Sequence, residues 1–202
     1  TLEDEEEIER ERIPHVLPIL PLKNTVLFPG VVVPITAGRD ASIHLINEAY
    51  ATTKTIGVVA QLDEKTEIPE GKDLFRFGTV ARILRVLKMP DGNVTIIIQG
   101  KKRFEIESFV EEKPYIKAVI KEMSDIKPDP DDKEFEATID AVKDLSIKII
   151  QENPNIPSEA AFAIRNIESY SFLINFISSN MNATVLEKQG VLEIDELKER
   201  AT

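Results

Sequence analysis

Residues 77–98 read Phe-Gly-Thr-Val-Ala-Arg-Ile-Leu-Arg-Val-Leu-Lys-Met-Pro-Asp-Gly-Asn-Val-Thr-Ile-Ile-Ile. Two β-rich runs, Phe77 to Leu87 and Val94 to Ile98, flank Pro90-Asp91-Gly92-Asn93. An Asp-Gly pair between such runs is the strongest short-range signal for a β-hairpin, because it supplies the positive-φ backbone of a tight turn. Asp91 is therefore read as a turn-former and not as a catalyst. Working outward, Arg103 to Val110 and Tyr115 to Lys121 read as two further strands, and Ile56 to Leu62 as a short one. Val31 to Ile35 is a β-branched run after the Pro29-Gly30 turn signal. Val16 to Leu22 is apolar but broken by Pro18 and Pro21, which cannot donate to a ladder, so an edge strand or extended entry segment is expected. One helix interrupts this zone, with Asp40 as its cap and Ile43, Ile46, Ala49 and Tyr50 on one side.

The last third of the chain changes period. Phe135, Ile139, Val142, Leu145 and Ile149 form an apolar stripe on a helix ending near Asn153-Pro154. Further helices are expected from Pro157-Ser158, over Ser171 to Asn180 and over Thr184 to Gln189. A last one, capped by Asp195, runs from Glu196 to Arg200. That final helix is barely one turn long and has no independent stability. With no initiator Met, it suggests a fragment of a larger protein. The expected fold class is α+β, divided into an acidic disordered tail over 1–12, a β-rich unit over 13–122, a linker over 123–133 and a helical bundle over 134–202. The polar run Lys127-Pro128-Asp129-Pro130-Asp131-Asp132 marks the linker.

The chain has 202 residues, 25 Lys and Arg against 36 Asp and Glu, a net charge of −11 and no cysteine. The first twelve residues carry seven acids and two bases, residues 13–120 are net +2, and residues 121–202 are net −8. A run as acidic as the first is expected to stay disordered. Nucleic-acid binding is not expected, since it needs clustered cations. The densest basic spot, Lys101-Lys102-Arg103, reads as solvated protection of a strand end. Absence of cysteine removes thiol nucleophiles, disulfides and Cys-based metal sites. The two histidines, His15 and His44, stand 29 residues apart and do not make a His-rich metal site. No apolar run is long enough to span a bilayer, which takes about 18–20 residues.

Motifs for chemistry are missing. Gly71-Lys72-Asp73 lacks the first glycine and the hydroxyl residue of a P-loop, and no G-x-G-x-x-G, G-x-S-x-G or H-E-x-x-H occurs. Ser42 and His44 are two apart on a helix and face different ways. No catalytic, cofactor or metal residues are therefore assigned. What stands out is apolar character at positions where tips are normally polar. Leu27, Phe28 and Pro29 sit at the first turn, and Leu87, Met89 and Pro90 at the approach to the hairpin tip. Two readings are open: both segments fold back onto the core, or they form one exposed patch that grips other proteins. Methionine suits such a surface because it is flexible and polarizable.

The ordered series Pro18-Ile19-Leu20-Pro21-Leu22-Lys23-Asn24-Thr25-Val26-Leu27-Phe28-Pro29-Gly30, Val33-Pro34-Ile35, Gly38-Arg39, Gly78-Thr79-Val80-Ala81-Arg82-Ile83, Pro90-Asp91-Gly92 and Gly100-Lys101-Lys102-Arg103 resembles the N-terminal domain of the Lon ATP-dependent proteases. Glu187-Lys188-Gln189 through Leu192-Glu193 resembles the stretch before that family's long connecting helix. The resemblance covers residues 14–200 and leaves out the acidic tail. It implies a β-rich, PUA-like barrel followed by a helical subdomain, with a non-catalytic role in recognising misfolded or degron-bearing proteins. The implied partners are unfolded or damaged substrates, the family's own AAA+ and Ser–Lys protease domains, and other copies in a cytoplasmic homo-oligomer. ATP and Mg would bind the AAA+ module, and none of its residues can be carried onto this chain. An oligomer-stabilising structural domain and a stand-alone PUA-like ligand binder are the alternatives. The helical half speaks against the second.

Overall fold

Six strands, β1 (Val16–Leu22), β2 (Val32–Ala37), β3 (Thr55–Ala60), β4 (Phe77–Lys88), β5 (Val94–Glu111) and β6 (Lys117–Met123), form one sheet in the order β2-β5-β4-β3-β1-β6. A further β5–β6 pairing closes it into a barrel and leaves β2 attached outside the closure. The computed structural model describes residues 2–152, 154, 156–157 and 159–202. Thr1 of the acidic tail and the expected helix boundaries at Asn153 and Ser158 lie outside these residues.

The hairpin at Asp91-Gly92 is present. Gly92 has φ +87, and the Asp91 carboxylate accepts from the Asn93 amide at 3.0 Å. β5 is one 18-residue strand where two were expected. Its first half pairs with β2 (Val94 to Gln99), its second half with β6 (Arg103 to Glu111), and β4 runs along the other edge. The change of partner happens at Gly100. A Cβ there would lie 2.3 Å from the Phe28 carbonyl oxygen, so only glycine lets the two backbones cross. β1 is not an edge strand. It pairs in parallel with β3, and with β6 over Val16 to Pro18, beyond which the Ile19 amide still donates to the Ile116 carbonyl at 2.8 Å.

The helices are α1 (Leu2–Arg10), α2 (Asp40–Ala51), α3 (Lys133–Glu152), α4 (Glu159–Arg165), α5 (Tyr170–Asn180), α6 (Val185–Glu193) and α7 (Leu197–Arg200). Asp40 is the first residue of α2 and not its cap, which is Arg39 with no side-chain bond. Leu45 and Ile46 of α2 seal the barrel core, while Tyr50 is exposed. In α3 the buried residues are Phe135, Ile139, Ile147 and Ile150; Leu145 and Ile149 of the expected stripe are exposed. The 3.6-residue period drifts along 20 residues, so the buried stripe rotates past them. Ser169 and Thr184 cap α5 and α6, the latter in a capping box with Glu187.

Two expectations are corrected. The acidic segment expected to be disordered forms α1, because three of its glutamates find cationic or hydroxyl partners elsewhere in the fold. The expected linker over 123–133 is tied down. Ile126 forms a parallel bridge with Glu196, and its amide and carbonyl bond to Asp195 and Leu197.

The apolar clusters place the boundary between β and helical parts less simply than the chain order does. Phe135, Ile139, Ile164, Leu173, Ile174 and Leu197 make a helical core of their own. Leu192 of α6 belongs instead to the barrel core, with Val185 and Val191 packed beside it. Gln189 donates to the Phe77 carbonyl at 2.9 Å, which fixes α6 on β4.

Candidate functional site

The six residues singled out at the two turns separate in space. Leu27 and Phe28 are 2% and 0% exposed, in the centre of the barrel core. Thr79 donates to the Leu27 carbonyl at 2.6 Å, anchoring the segment from inside. This corrects the expectation of exposure there: the turn folds back, and its apolar residues plug the barrel. Pro29 is half-buried beside Gly30. Leu87 and Met89 are 42% and 43% exposed, and Pro90 is exposed with them. The two turns also lie at opposite ends of β2. Gly30 bonds to Gly100, whereas the hairpin tip meets Ala37 and Gly38, since Ala37 is paired with Val94 and Gly38 abuts Asn93. They do not form one patch.

The hairpin residues do belong to another surface. In an antiparallel ladder, paired residues share a face and successive residues alternate. Val94, Ile96 and Ile98 of β5 point into the core. Thr95, Ile97 and Gln99 therefore point outward. Thr36 lies beside Thr95 with hydroxyl oxygens 2.9 Å apart, and Leu87 pairs with Thr95 from the other side. By the same register Pro34 flanks Ile97, and Val32 flanks Gln99. The outer face of β2-β5-β4 thus carries Val32, Pro34, Ile97 and Leu87, with Met89 at its end. Val32 and Pro34 are exposed and Ile97 is half-buried. Sequence reasoning found Leu87 and Met89 and missed the other three, which read only as members of β-rich runs. Strict alternation along 94–99 was the signal that could have separated the faces.

The Lys101-Lys102-Arg103 triplet is also different from its expectation. Arg103 is 2% exposed and is not strand-edge protection. It binds Asp125 at 2.7 Å, Asp195 at 3.1 Å and the Leu192 carbonyl at 3.1 Å. Arg200 reaches the same Asp125 oxygen at 2.9 Å and the Asn175 amide oxygen at 3.1 Å. Two guanidinium groups and one carboxylate thereby join β5, the β6 exit, α5 and α7. Buried charges need such pairing to be tolerated.

His44 stacks edge-on to Tyr115 and lies 3.4 Å from Glu48, away from the outer sheet face. Among the described residues no three His, Asp or Glu side chains gather as a metal site, and no helix is long and apolar enough to cross a membrane.

Comparison with known proteins fits this architecture. The family model described as the ATP-dependent protease La (LON) substrate-binding domain matches residues 16–202. The chain belongs to the Lon substrate-binding domain family. It is 66% identical over 201 residues to a Lon protease of Flavobacterium johnsoniae, covering 100% of this chain and 25% of that protein. It is 52% identical over 202 residues to a Lon protease of Cytophaga hutchinsonii, again 100% of this chain and 25% of the other. The chain thus spans about a quarter of the length of these Lon relatives. In fold it matches the N-terminal domain of a Mycobacterium avium complex Lon protease with a TM-score of 0.75, at 21% identity, over 92% of this chain and 94% of that one. A Lon N-terminal domain protein from Xanthomonas campestris gives 0.62, at 16% identity, over the same shares of each chain. Both likenesses support the α+β class and the barrel-then-helices order. The family model begins at residue 16, after α1, whereas the two Lon relatives align over the whole chain.

Proposed function

We propose that this domain captures misfolded or degron-bearing proteins, by their apolar segments, on the outer face of β2-β5-β4, for a protease whose other domains unfold and cut them. The observation that carries the reading is the run of apolar side chains, Val32, Pro34, Ile97, Leu87 and Met89, on one sheet face, four of them exposed and Ile97 half-buried. Such a surface binds weakly and without strict sequence demand. Each large side chain covered by a client gains about 1.5–3 kcal/mol, and the cost of association removes much of the sum. A tether to the rest of the protease makes weak capture sufficient, because short linkers hold a ligand at ~mM local concentration. In this proposal the whole protein is an ATP-dependent serine protease of quality control. It works as a cytoplasmic homo-oligomer, and its AAA+ and protease modules supply ATP, Mg and catalytic groups. This domain by itself hydrolyses neither ATP nor protein.

A structural role in the oligomer is the second reading. It is favoured by Leu145 and Ile149 on α3 and Phe162 on α4, which are 62%, 61% and 72% exposed. The two readings separate in one titration. A fluorescent, reduced and carboxymethylated protein serves as permanently unfolded client. Leu87→Asp and Met89→Asp, made singly, should weaken its binding at least fivefold and leave the melting temperature within a degree or two. Phe28→Ala should lower the melting temperature strongly, since removing a buried phenylalanine costs about 3–5 kcal/mol. Unchanged client binding in both aspartate variants would refute the surface.

A further inference from the structure

A cavity of about 760 Å³ lies between the barrel and the helical half, bounded by the Pro29-Gly30 turn, β5, the β6 exit and the start of α5. Its outer wall is α1. That helix is held almost wholly by charge. Lys127 lies 3.0 Å from Glu5 and 2.9 Å from Glu9, and Lys101 lies 3.5 Å from Glu11. The Ser169 hydroxyl, at the cap of α5, donates to the Glu5 carboxylate, so that carboxylate sits at a helix N-terminus where anions are favoured. Burial pushes the Glu5 carboxyl up, but bonds from Ser169 and Lys127 outweigh it and hold the group below its ordinary range. Among the described residues, Lys101 and Lys127 make ion pairs with no acid outside the first eleven residues.

The wall is weakly attached. Among the α1 residues whose side chains are described, only Glu5 and Ile8 are partly shielded from solvent. A nine-residue helix has little stability alone, and exposed ion pairs add little. The lining outside α1, from Pro29 to Asn175, lies within residues 16–202 matched by the family model, and α1, the remaining wall, lies before them.

We propose that the inner side of this cleft, with Lys101, Lys127 and Ser169, is a binding site for acidic peptide segments, and that α1, the cleft's outer wall, is a tethered competitor lying over it. The pattern it reads is the one α1 displays: two carboxylates four residues apart, Glu5 and Glu9, with the apolar Ile8 between them among the cavity's lining residues. This goes beyond capture on the outer sheet face. It adds a second site, of opposite chemistry, whose access depends on displacing a strap built into the same chain.

The probe is a fluorescein-labelled peptide with the sequence of residues 1–13, titrated by anisotropy in 50 mM salt. The host is the full chain carrying Glu5→Gln, Glu9→Gln and Glu11→Gln, which removes the strap's ion pairs and leaves Lys101, Lys127 and Ser169 on the cleft's inner side unchanged. We expect this variant to bind the peptide at least tenfold more tightly than the unmodified chain. Adding Lys127→Ser and Lys101→Ser to it should abolish the gain, and Met89→Asp should leave it intact. Equal binding by the variant and the unmodified chain would overturn the proposal, as would indifference to the lysine changes. Binding of a single-stranded oligonucleotide of matched charge as tightly as the peptide would overturn it in favour of a general anion surface. Loss of peptide binding in Met89→Asp would also overturn it, placing the peptide on the sheet face.

Discussion

Asp125 shows how one carboxylate can set the geometry of two subdomains. Arg103 and Arg200 share one of its oxygens, and both guanidinium groups are nearly inaccessible to solvent. Removing Asp125 leaves the buried Arg103 with Asp195 as its carboxylate and the buried Arg200 with neutral amide and carbonyl oxygens, and breaking a buried pair typically costs about 3–5 kcal/mol. Asp125→Ala is therefore expected to lower the denaturation midpoint far more than Asp129→Ala, a substitution in an exposed turn of the same segment. Equal effects in urea titrations would contradict the assignment. Gly100→Ala is a second residue-scale expectation. The added methyl meets backbone and not a flexible side chain, so β5 must shift and stability fall even though the residue change is small. None of this was legible in the sequence, where Arg103 ended a basic triplet and Asp125 began a polar linker. Pairing over 22 residues between a strand and a loop leaves no periodic trace. The apolar choices were half legible for a similar reason. Leu87 and Phe28 are equally hydrophobic, and only the closure of the barrel decides that one lies inside and the other outside.

At the scale of elements, the strands and helices were easier to read than their partners. The Asp-Gly hairpin, the β-branched runs and the capped α5 and α6 all follow from local chemistry. The continuity of β5 does not, because Gly100 looks like a break when read alone. Nor does α1, whose six acids argue against a helix until Lys127 is brought near. The docking of α1 should respond to pH in a defined direction. Glu5, which faces Lys127, Ser169 and Ser171, has its carboxyl held below the ordinary 4.5 in the folded state. Its contribution is then complete above pH 4.5 and is lost as pH falls through the depressed folded value. Lys127 moves the other way, since its bonds to Glu9 and Glu5 outweigh burial and raise it above 10.5. Its contribution is complete below pH 10.5 and fades only above that. Protease nicking within residues 2–12 should therefore be slow at pH 6–8 and accelerate in acid, or in high salt that screens the exposed pairs. Cleavage rates flat from pH 7 to pH 3.5 would contradict docking by charge.

At the scale of the whole molecule, there are three apolar clusters, two in the barrel and one among the helices, and a polar clasp between barrel and helices. The clasp and Leu192 predict that the barrel and the helical bundle melt together, in one calorimetric transition. In Asp125→Ala the bundle should uncouple and melt first, giving two. The domain is also expected to sediment as a monomer at micromolar concentration, since most of its large apolar residues are spent internally. A tight hexamer would move the second reading, with Leu145, Ile149 and Phe162, to first place.

The seat of Leu192 in the barrel core has a consequence for synthesis. A chain emerging from the ribosome holds all six strands once Met123 is out, yet the barrel still lacks a piece that arrives about 70 residues later. Until then the nascent barrel shows an apolar socket to any passing chaperone. Chains stalled or truncated before Val185 should remain protease-sensitive and dye-binding, and those that extend past Arg200 should become resistant in one step. For this domain, finishing the first half of the fold waits on almost the last turn of helix.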